Sequence, residues 1–394
     1  MNKISTNSLT LKQLPPLSLY IHMPWCVKKC PYCDFNSHNL KGDLPEEQYI
    51  NALLADLDQA LPLIWGRSFQ SIFIGGGTPS LFSGKAIDNL LSQIRTRIRL
   101  SPYAEITMEV NPGTVERQYI NEYKQAGVNR ISLGIQSFNN NQLKALGRIH
   151  DADEAKSAIE IVATTFDNFN LDIIYALPKQ TIPDAENDIR QAISFNPTHI
   201  SAYNLTIEPN TEFAKYTPVG LPDNDTCYLM QDNLTSILSE HGYKHYETSA
   251  FAKEGYQCQH NLNYWQFGDY LGIGAGAHSK LSFHDKIIRQ MRDKHPTQYQ
   301  EKVTLGKHIL EDLMVNSEDL PFEFMMNTLR LIEGFNTTLF NEHTGLPLNN
   351  ALPPLLKAQE KQLIEILPDK IRPTKLGQNF LNDLLVMFLA DNKN

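Results

Sequence analysis

Six short apolar runs alternate with amphipathic helical patterns in the first half of this 394-residue sequence. One helical pattern spaces its apolar residues three and four apart between Ile50 and Leu61, and another runs from Asp151, a candidate cap, to Thr165. Strands that alternate with helices favour parallel βα units, and six strands are fewer than the eight of a closed barrel. We therefore predict an α/β fold with strands at 18–22, 72–75, 106–110, 131–136, 171–175 and 200–205.

Length and charge narrow the choice of function. The chain is long enough for one barrel of roughly 200–250 residues and a smaller second domain. A net charge of −9 argues against a nucleic-acid partner, because nucleic-acid binding needs a basic surface. Residues 1–16 are polar and lack the apolar core of a signal peptide, and no run of eighteen apolar residues predicts a membrane span.

Three cysteines in the spacing C-x3-C-x2-C lie near the start of the chain, at Cys26, Cys30 and Cys33, with no fourth cysteine nearby. A cluster of four irons normally takes four thiolates, so three thiolates leave one iron open to an outside ligand. Zinc is the alternative, because Cys3His sites are common and His22 and His38 flank the triad. Structural zinc usually draws on two separated ligand pairs, however, and no second C-x-x-C motif occurs. The spacing favours an iron–sulfur triad and leaves zinc as the rival.

The two remaining cysteines, Cys227 and Cys258, complete a sparse and odd-numbered set of five, which is unlike a disulfide framework. By default each of them is a small hydrophobic residue in the core. Exposed thiols and a labile cluster suit a reducing compartment, so we expect a cytoplasmic protein.

Polar side chains interrupt or end three of the apolar runs, at Glu109, Gln136 and Asp172. Active residues of barrel folds gather at the C-terminal ends of the strands, and an ionised carboxylate inside a barrel is costly unless something pairs with it. Each residue alone could equally well cap a loop amide. Three of them at matching positions favour a ligand site.

Two glycine-rich runs have different interpretations. The run from Gly75 to Gly77, followed by Thr78 and Pro79, directly follows a predicted strand and would let backbone groups approach a ligand closely. A tight turn needs fewer glycines, and no Gly-Lys-Ser/Thr follows as in a phosphate loop. The run at 272–277 fits a loose dinucleotide fingerprint but lacks the surrounding βαβ signals, so we interpret it as close backbone packing beside the active site.

The triad, with an aromatic residue before its last cysteine and the lead-in Leu-Tyr-Ile-His-Met-Pro-Trp at 19–25, resembles the cluster loop of radical S-adenosylmethionine (SAM) enzymes. Within that superfamily it is similar to oxygen-independent coproporphyrinogen oxidase and its relatives. The resemblance implies a partial (β/α)6 barrel, a [4Fe–4S] cluster on the three cysteines, and SAM at the open iron. Arg148 would meet a carboxylate of SAM. The SAM-binding residues that the resemblance implies are Tyr20, Tyr32, Gly76, Gly77, Thr78, Glu109, Gln136, Arg148 and Asp172.

Two departures separate the chain from the oxidase itself. Phe35 stands where the oxidase carries a fourth cysteine, and only 25 residues precede the triad. The run at 33–37 instead resembles the HemW-type haem chaperones, which are paralogues of the oxidase, and 260–265 matches their HNxxYW signature. This resemblance implies haem contacts from His260, as iron ligand, and from Tyr264, as oxygen ligand or propionate partner. Trp265 would offer an apolar surface, and Cys258 is a lower-ranked thiolate ligand.

The resemblance covers nearly the whole chain and implies a small, mainly helical C-terminal domain. Helices are predicted near 320–332, 353–366 and 376–389, without catalytic signals. The predicted segments are an N-terminal leader (1–16), the radical SAM barrel core (17–215), a barrel extension with the haem motif (216–300) and the C-terminal domain (301–394).

The implied function is that of a haem chaperone, which binds haem and a SAM-chelating [4Fe–4S] cluster and transfers haem to an acceptor haemoprotein. The alternative is an oxygen-independent coproporphyrinogen III dehydrogenase that decarboxylates propionate side chains, and the third is a zinc-stabilised interaction protein. The family suggests a respiratory haemoprotein as acceptor, with peripheral membrane contact. The sequence does not determine the oligomeric state, for which a homodimer is the expectation.

Overall fold

The computed structural model describes residues 9–114 and 117–389. The first eight residues of the predicted leader and the last five of the predicted C-terminal domain lie outside the described residues. In the described part, the strands are β1 (Leu17–Met23), β2 (Trp25–Cys26), β3 (His38–Asn39), β4 (Ser68–Gly76), β5 (Arg99–Val110), β6 (Arg130–Gln136), β7 (Phe169–Tyr175), β8 (His199–Asn204), β9 (Lys244–Glu247), β10 (Ala250–Ala252), β11 (Asp269–Ile273), β12 (His278–Ser282), β13 (Ile287–Arg292), β14 (Ile309–Met314), β15 (Phe335–Asn336), β16 (Ile364–Ile366) and β17 (Lys370–Pro373).

The helices of the same part surround these strands. They are α1 (Glu46–Ala60), α2 (Gly84–Arg97), α3 (Arg117–Ala126), α4 (Asn140–Ala145), α5 (Ala152–Ala163), α6 (Ile182–Ser194), α7 (Glu212–Lys215), α8 (Asn224–Glu240), α9 (Gln259–Trp265), α10 (Pro296–Val303), α11 (Leu320–Thr328), α12 (Thr337–Thr344), α13 (Leu352–Glu360), α14 (Lys375–Asn379) and α15 (Leu381–Val386). None of the helices described is both long and apolar enough to cross a bilayer.

A sheet of twelve described strands forms the centre of the molecule, in the order β14-β13-β12-β11-β1-β4-β5-β6-β7-β8-β10-β9. The seven neighbours from β11 to β8 run parallel. Antiparallel strands continue the sheet beyond both β11 and β8, so the barrel stays open. All six predicted strands are confirmed as consecutive neighbours in the parallel part, which is the predicted partial barrel. Runs with both faces buried, such as β1, are what a parallel sheet under helices requires.

One parallel strand, β11, lies outside the six predicted strands. It has five residues, of which the last two begin the glycine run at 272–277, and it pairs with β1 from about 250 residues further along the chain. A run this short cannot be told from a loop by its periodicity. Its place in the sheet depends on a non-local pairing that the local sequence does not encode.

The helix starting at residue 152 begins as its sequence predicts. The carboxylate of Asp151 accepts hydrogen bonds from the backbone N–H groups of Asp153 (3.0 Å) and Glu154 (2.9 Å). Glu154 returns a bond to the N–H of Asp151 at 2.9 Å, which completes a capping box. The predicted cap of this helix is therefore confirmed.

The C-terminal region contains five helices, α11 to α15, and the three-stranded sheet β15-β17-β16. Most of its buried apolar residues form a second hydrophobic core, to which Leu11, Phe267 and Ile287 also contribute. All three predicted helices of this region were too long, and the one near 320–332 ends at Thr328. The predicted helix at 353–366 ends at Glu360, where Gln362 adopts a left-handed φ of 60° and Ile364–Ile366 becomes a strand. The predicted helix at 376–389 is divided into α14 and α15. The large sheet continues past residue 300 as far as Met314.

Candidate functional site

The three cysteines of the triad lie in a loop between β1 and α1, and the pairing of Trp25 with His38 in β2 and β3 closes its base. The N–H of Cys33 donates to the carbonyl of Cys30 at 3.1 Å, which tightens the turn between them. Cys30 Sγ accepts a hydrogen bond from Arg148 Nη1 at 3.5 Å, and Cys33 Sγ lies 3.8 Å from Ser37 Oγ. Burial raises the pKa of the Cys26 and Cys33 thiols, so a bound metal has to supply the charge that deprotonates them.

His22 is hydrogen-bonded to the cysteine loop and cannot serve as a zinc ligand in this arrangement. Its Nε2 lies 2.8 Å from the carbonyl of Asn36, which can only accept, so Nε2 carries the proton. Burial lowers the pKa of His22 to about 4, so the ring is neutral and its Nδ1 accepts from the hydroxyl of Tyr20 at 2.9 Å. Both nitrogens are therefore occupied.

The other flanking histidine, His38, donates from Nε2 to the carbonyl of Lys294 at 3.2 Å. Within residues 9–114 and 117–389, no group of three or more His, Cys, Asp or Glu side chains is arranged to hold a single metal ion. The zinc interpretation thus has no completed ligand set among the described residues.

A cavity of about 360 Å³ extends from the cysteine loop into the barrel. The C-terminal ends of the parallel strands line its mouth, as barrel folds place their sites, and residues near the start of three strands line its interior end. Gln136 ends β6 with a left-handed φ of 71°, next to an irregularity in its pairing with β7. A non-glycine residue in this conformation is held there by its surroundings, and such strain concentrates at binding sites. Besides the three cysteines, the residues that line the cavity include Tyr32, Gly76, Gly77, Thr78, Glu109, Gln136, Arg148 and Asp172.

Two of the acidic residues that line this cavity, Glu109 and Asp172, lie inside the barrel. Glu109 accepts from the N–H of Gly76 at 3.0 Å, and burial together with the charge of Asp172 raises its pKa to about 8. Burial also raises the pKa of Asp172, although Asn170 (2.8 Å) and Ser132 (2.9 Å) donate to it. Two carboxylates that resist ionisation in one cavity would be stabilised by a cationic ligand.

Arg148 is half-buried beside the cysteine loop and is not a solvated surface side chain. Its Nη2 donates to the carbonyl of Gly134 at 2.9 Å and its Nη1 to Cys30, whereas its Nε has no partner. The neighbouring Tyr32 packs against Phe213 at 6.4 Å between ring centroids. The guanidinium therefore stands between the cluster loop and the cavity, with donor capacity left over.

Of the nine predicted SAM residues, only Tyr20 does not line the cavity, because its hydroxyl points to His22. The glycine run also has a structural role within the protein itself. A Cβ on Gly76, which has a φ of +115°, would lie 2.5 Å from the ring of His22. A Cβ on Gly77 would lie 2.6 Å from the carbonyl of Trp25. These glycines let the second strand of the barrel approach the cysteine loop.

The second glycine run also packs closely, as predicted. Gly274 has a φ of +104°, and a Cβ on it would lie 2.6 Å from the carbonyl of His22. Asn36 donates to the carbonyl of Ala275 at 2.9 Å, which ties the cysteine loop to this turn. Strand β12 follows the run instead of the helix that a dinucleotide site needs.

The HNxxYW residues form α9, which lies against the N-terminal ends of the barrel strands, opposite the cysteine loop. The side chain of His260 is 1 % exposed, and its ring lies 5.1 Å from that of Phe73 and 5.0 Å from that of Tyr264. Its Nδ1 is 2.9 Å from Ser71 Oγ, and Ser71 gives its own proton to Ser18. Nδ1 of His260 is therefore the donor, and Nε2 keeps a free lone pair without a partner.

Two more residues of this motif have defined surroundings. Trp265 has the guanidinium of Arg330 at 4.5 Å over its ring, and its Nε1 has no partner. Cys258 is fully buried and donates to Glu105 at 3.5 Å, and burial raises its pKa to about 12. A thiol in this environment stays protonated, so its surroundings do not favour it as a thiolate ligand.

Comparison with known proteins identifies the family to which the chain belongs. The model of the Radical SAM superfamily matches residues 20–192, and that of the HemN C-terminal domain matches residues 315–380. The haem chaperone HemW of Escherichia coli (strain K12) is 49 % identical over 381 residues, covering 96 % of this chain and 100 % of that protein. HemW of Haemophilus influenzae is 49 % identical over 387 residues (97 % and 100 %), and HemW of Bacillus subtilis is 32 % identical over 381 residues (95 % and 99 %). The chain belongs to the HemW family of haem chaperones.

The solved structure of coproporphyrinogen III oxidase (HemN) from Escherichia coli, described as a radical SAM enzyme, has the same fold. It superimposes with a TM-score of 0.80 over 95 % of this chain and 90 % of that one, at 22 % sequence identity. Within that shared fold, the sequence similarity assigns this chain to HemW and not to the oxidase. Membership of the radical SAM superfamily implies a [4Fe–4S] cluster and SAM, and three cysteines that open onto one cavity fit such a cluster.

The HemW barrel also has a polar interior, of which the sequence interpretation found Asp172 and missed the other five residues. Three adjacent strands each begin with two polar residues separated by one position, and all six side chains line the interior end of the cavity. This alternation was the signal available in the sequence, since residues i and i+2 of a strand share a face. The residues are Arg130, Ser132, Asn170, Asp172, His199 and Ser201.

Proposed function

We propose that this protein binds a [4Fe–4S] cluster through Cys26, Cys30 and Cys33, binds SAM in the adjoining cavity, and holds haem for transfer to an acceptor haemoprotein. The observation that carries the proposal is the junction of the cysteine loop with the carboxylate-lined cavity, in a chain of the HemW family. The resemblance further suggests transfer in the cytoplasm, to a respiratory haemoprotein at a membrane surface, by a homodimer.

Different residues of the cavity would bind different parts of SAM. The three cysteines would hold the cluster, which would supply an open iron as a binding site for the amino-acid end of SAM. Glu109 and Asp172 supply negative charge for a cationic ligand. Arg148 supplies donors for its carboxylate, next to Cys30. The proposed SAM residues are Tyr20, Tyr32, Gly76, Gly77, Thr78, Glu109, Gln136, Arg148 and Asp172.

SAM binding is expected to depend on pH through Glu109. Its pKa of about 8 means that the group is mostly protonated below this pH, and only the ionised form attracts a sulfonium. Binding of the cation then releases a proton, so the affinity rises with pH, by up to about tenfold per pH unit below pH 8, and levels off above it. Equilibrium binding of SAM to cluster-loaded protein between pH 6 and 9 measures this.

The control for the pH dependence is a pair of variants. Glu109→Gln should weaken SAM binding and retain only the titration of SAM itself, so the difference between it and the unaltered protein isolates Glu109. Glu160→Gln, an exposed glutamate on α5, should leave the profile unchanged. Identical profiles for Glu109→Gln and the unaltered protein would exclude Glu109 from the site.

Haem is proposed to bind through α9. His260 presents a neutral imidazole whose Nδ1 is held by Ser71 and whose Nε2 has a free lone pair, as in a histidine prepared for a metal. Tyr264 on the next turn packs against it and is the second proposed contact. Because His260 is 1 % exposed, iron can reach Nε2 only if α9 moves away from β1 and β4.

Haem titration of the cluster-loaded protein, followed by absorbance, tests the chaperone function. We expect one haem per chain, and His260→Ala should change the spectrum and weaken binding by about tenfold to a hundredfold. His241→Ala, an exposed histidine at the end of α8, is the matched control and should behave as the unaltered protein. Hydrogen exchange of residues 258–265 should change when haem binds, because α9 has to open.

Two results would contradict this proposal. Unchanged haem binding by His260→Ala would place haem elsewhere in the chain. If no haem bound, and coproporphyrinogen were decarboxylated while SAM was cleaved to methionine and 5′-deoxyadenosine, the protein would be an oxidase and not a chaperone.

A further inference from the structure

The interior end of the cavity contains a buried arginine that lacks hydrogen-bond acceptors. Arg130, the first residue of β6, is 2 % exposed and lines the cavity. Its Nε has no partner, and its guanidinium donates no hydrogen bond to any described residue. The carboxylate that forms an ion pair with it, Glu105, lies 4.0 Å from Nε, beyond hydrogen-bonding distance.

Glu105 is already used by α9. Its oxygens accept from the thiol of Cys258 at 3.5 Å and from the backbone N–H groups of Gln259 and His260 at 3.2 Å. It offsets part of the charge of Arg130 but supplies none of its hydrogen bonds. Asp172 is a second carboxylate close enough to interact electrostatically with Arg130. A buried donor without an acceptor costs free energy, so what Arg130 lacks is a hydrogen-bond acceptor and not a counter-charge.

A second unpartnered polar group lies beside Arg130. Thr107 is the direct neighbour of Arg130 in the pairing of β5 with β6, and its buried Oγ1 has no partner. Glu105 and Glu109, two residues before and after it, both face the barrel interior, so Thr107 shares that face. Asn261 lines the same end of the cavity from α9, and its side chain makes no hydrogen bond to a described residue. Arg130 and Asn261 thus line the interior end of the cavity, and Thr107 lies beside Arg130 on the same face of the sheet, each with hydrogen-bonding capacity that the described residues do not use.

We propose that the interior end of the cavity is a binding subsite for the carboxylate of a small organic acid, with Arg130 as its ion-pair partner. A guanidinium matches the two oxygens of a carboxylate in a bidentate pair. Glu105 already forms an ion pair with Arg130, so a doubly charged phosphate would meet more repulsion than a single carboxylate. Because SAM is proposed to occupy the cysteine end of the same cavity of about 360 Å³, only a small molecule fits at the interior end. This subsite lies at the opposite end of the cavity from the cysteines, where the carboxylate of SAM is proposed to bind.

Saturation-transfer NMR on the full chain carrying its cluster tests the subsite with benzoate, benzamide and phenylphosphonate. We expect benzoate to bind at least about tenfold more tightly than benzamide, since a hydrogen bond to a charged group is worth more than a neutral one. Arg130→Gln should abolish this preference. Arg130→Lys, which keeps the buried charge and therefore the fold, should reduce it because lysine cannot form the bidentate pair. Arg97→Gln, at a surface pair with Asp58, is the control and should retain the preference.

Any of the following results would contradict the proposed subsite. Equal binding of benzoate and benzamide would mean that the unpartnered groups hold only water. A benzoate preference that persists in Arg130→Gln and Arg130→Lys would place the acid elsewhere, and tighter binding of phenylphosphonate would contradict the carboxylate. If the Arg130 variants weakened SAM and not benzoate, Arg130 would belong to the SAM site.

Discussion

Replacing Cys30 by alanine is expected to remove the iron–sulfur cluster from the protein altogether. With three thiolates and no fourth cysteine within the loop, no side chain is in reserve to replace a lost ligand, and His22 is held by Tyr20 and Asn36. Iron and sulfide analysis after anaerobic reconstitution should give close to four of each per unaltered chain and almost none for the variant. SAM binding that depends on the open iron should be lost with the cluster.

Cys227→Ala is the matched control for the cysteine variant. Cys227 is a half-buried cysteine on α8, outside the loop, whose thiol contacts the carbonyl of Pro222 at 3.8 Å. Its iron and sulfide contents should equal those of the unaltered protein. Zinc in place of iron and sulfide, bound to the unaltered chain and lost from Cys30→Ala, would instead establish a zinc site.

Features that depend on neighbouring residues could be predicted from the sequence. The spacing of the triad places three cysteines in one loop, and Asp151 caps its helix as predicted. The signal for the six predicted strands was also local, because continuous apolar runs between turn signals are enough to recognise them. The three polar residues that end these runs, Glu109, Gln136 and Asp172, do line one cavity.

Features that depend on distant pairings could not be predicted. Strand β11 pairs with β1, although it comes from the far end of the barrel sequence. The need for a glycine at position 76 depends on the ring of His22, which is distant in sequence and packs directly against it. The sequence also gives no sign that His260 would be buried under the barrel. The HNxxYW motif indicates which residues matter, whereas access to them is a property of the packing.

The two ends of the barrel therefore differ in how easily a cofactor can reach them. The cysteine loop lies at the open mouth of the cavity, so a cluster can form there without rearrangement of the sheet. Helix α9 closes the other end, held by Glu105 at its first residues and by Arg330 over Trp265 at its last. Since Arg330 belongs to the C-terminal region, any opening of α9 for haem has to break a contact between that region and the barrel.

Asp269→Asn is expected to cause the largest loss of stability of any single substitution considered for this chain. Asp269 is fully buried, and its carboxylate accepts from Arg67 at 2.7 Å and Lys280 at 2.9 Å, besides two bonds from Ser282. Burial by itself would raise the pKa of Asp269, but the two cations outweigh it and hold the pKa below its usual value. The amide would leave two buried cations without a counter-charge, which costs on the order of 3–5 kcal/mol.

The measurement is the midpoint of unfolding in urea and on heating, with Asp58→Asn as control. Asp58 pairs with Arg97 at 2.8 Å with about half of its side chain exposed (48 %), so its loss should cost less than about 1 kcal/mol. Because the folded-state pKa of Asp269 is lowered, its contribution is present above the pKa of the unfolded chain and disappears as the pH falls through the lower folded value. The gap between Asp269→Asn and the unaltered protein should therefore be full at neutral pH and narrow only in strong acid. Equal midpoints for Asp269→Asn and Asp58→Asn at pH 7 would show that the buried ion pairs of Asp269 stabilise the protein no more than the exposed pair of Asp58 with Arg97.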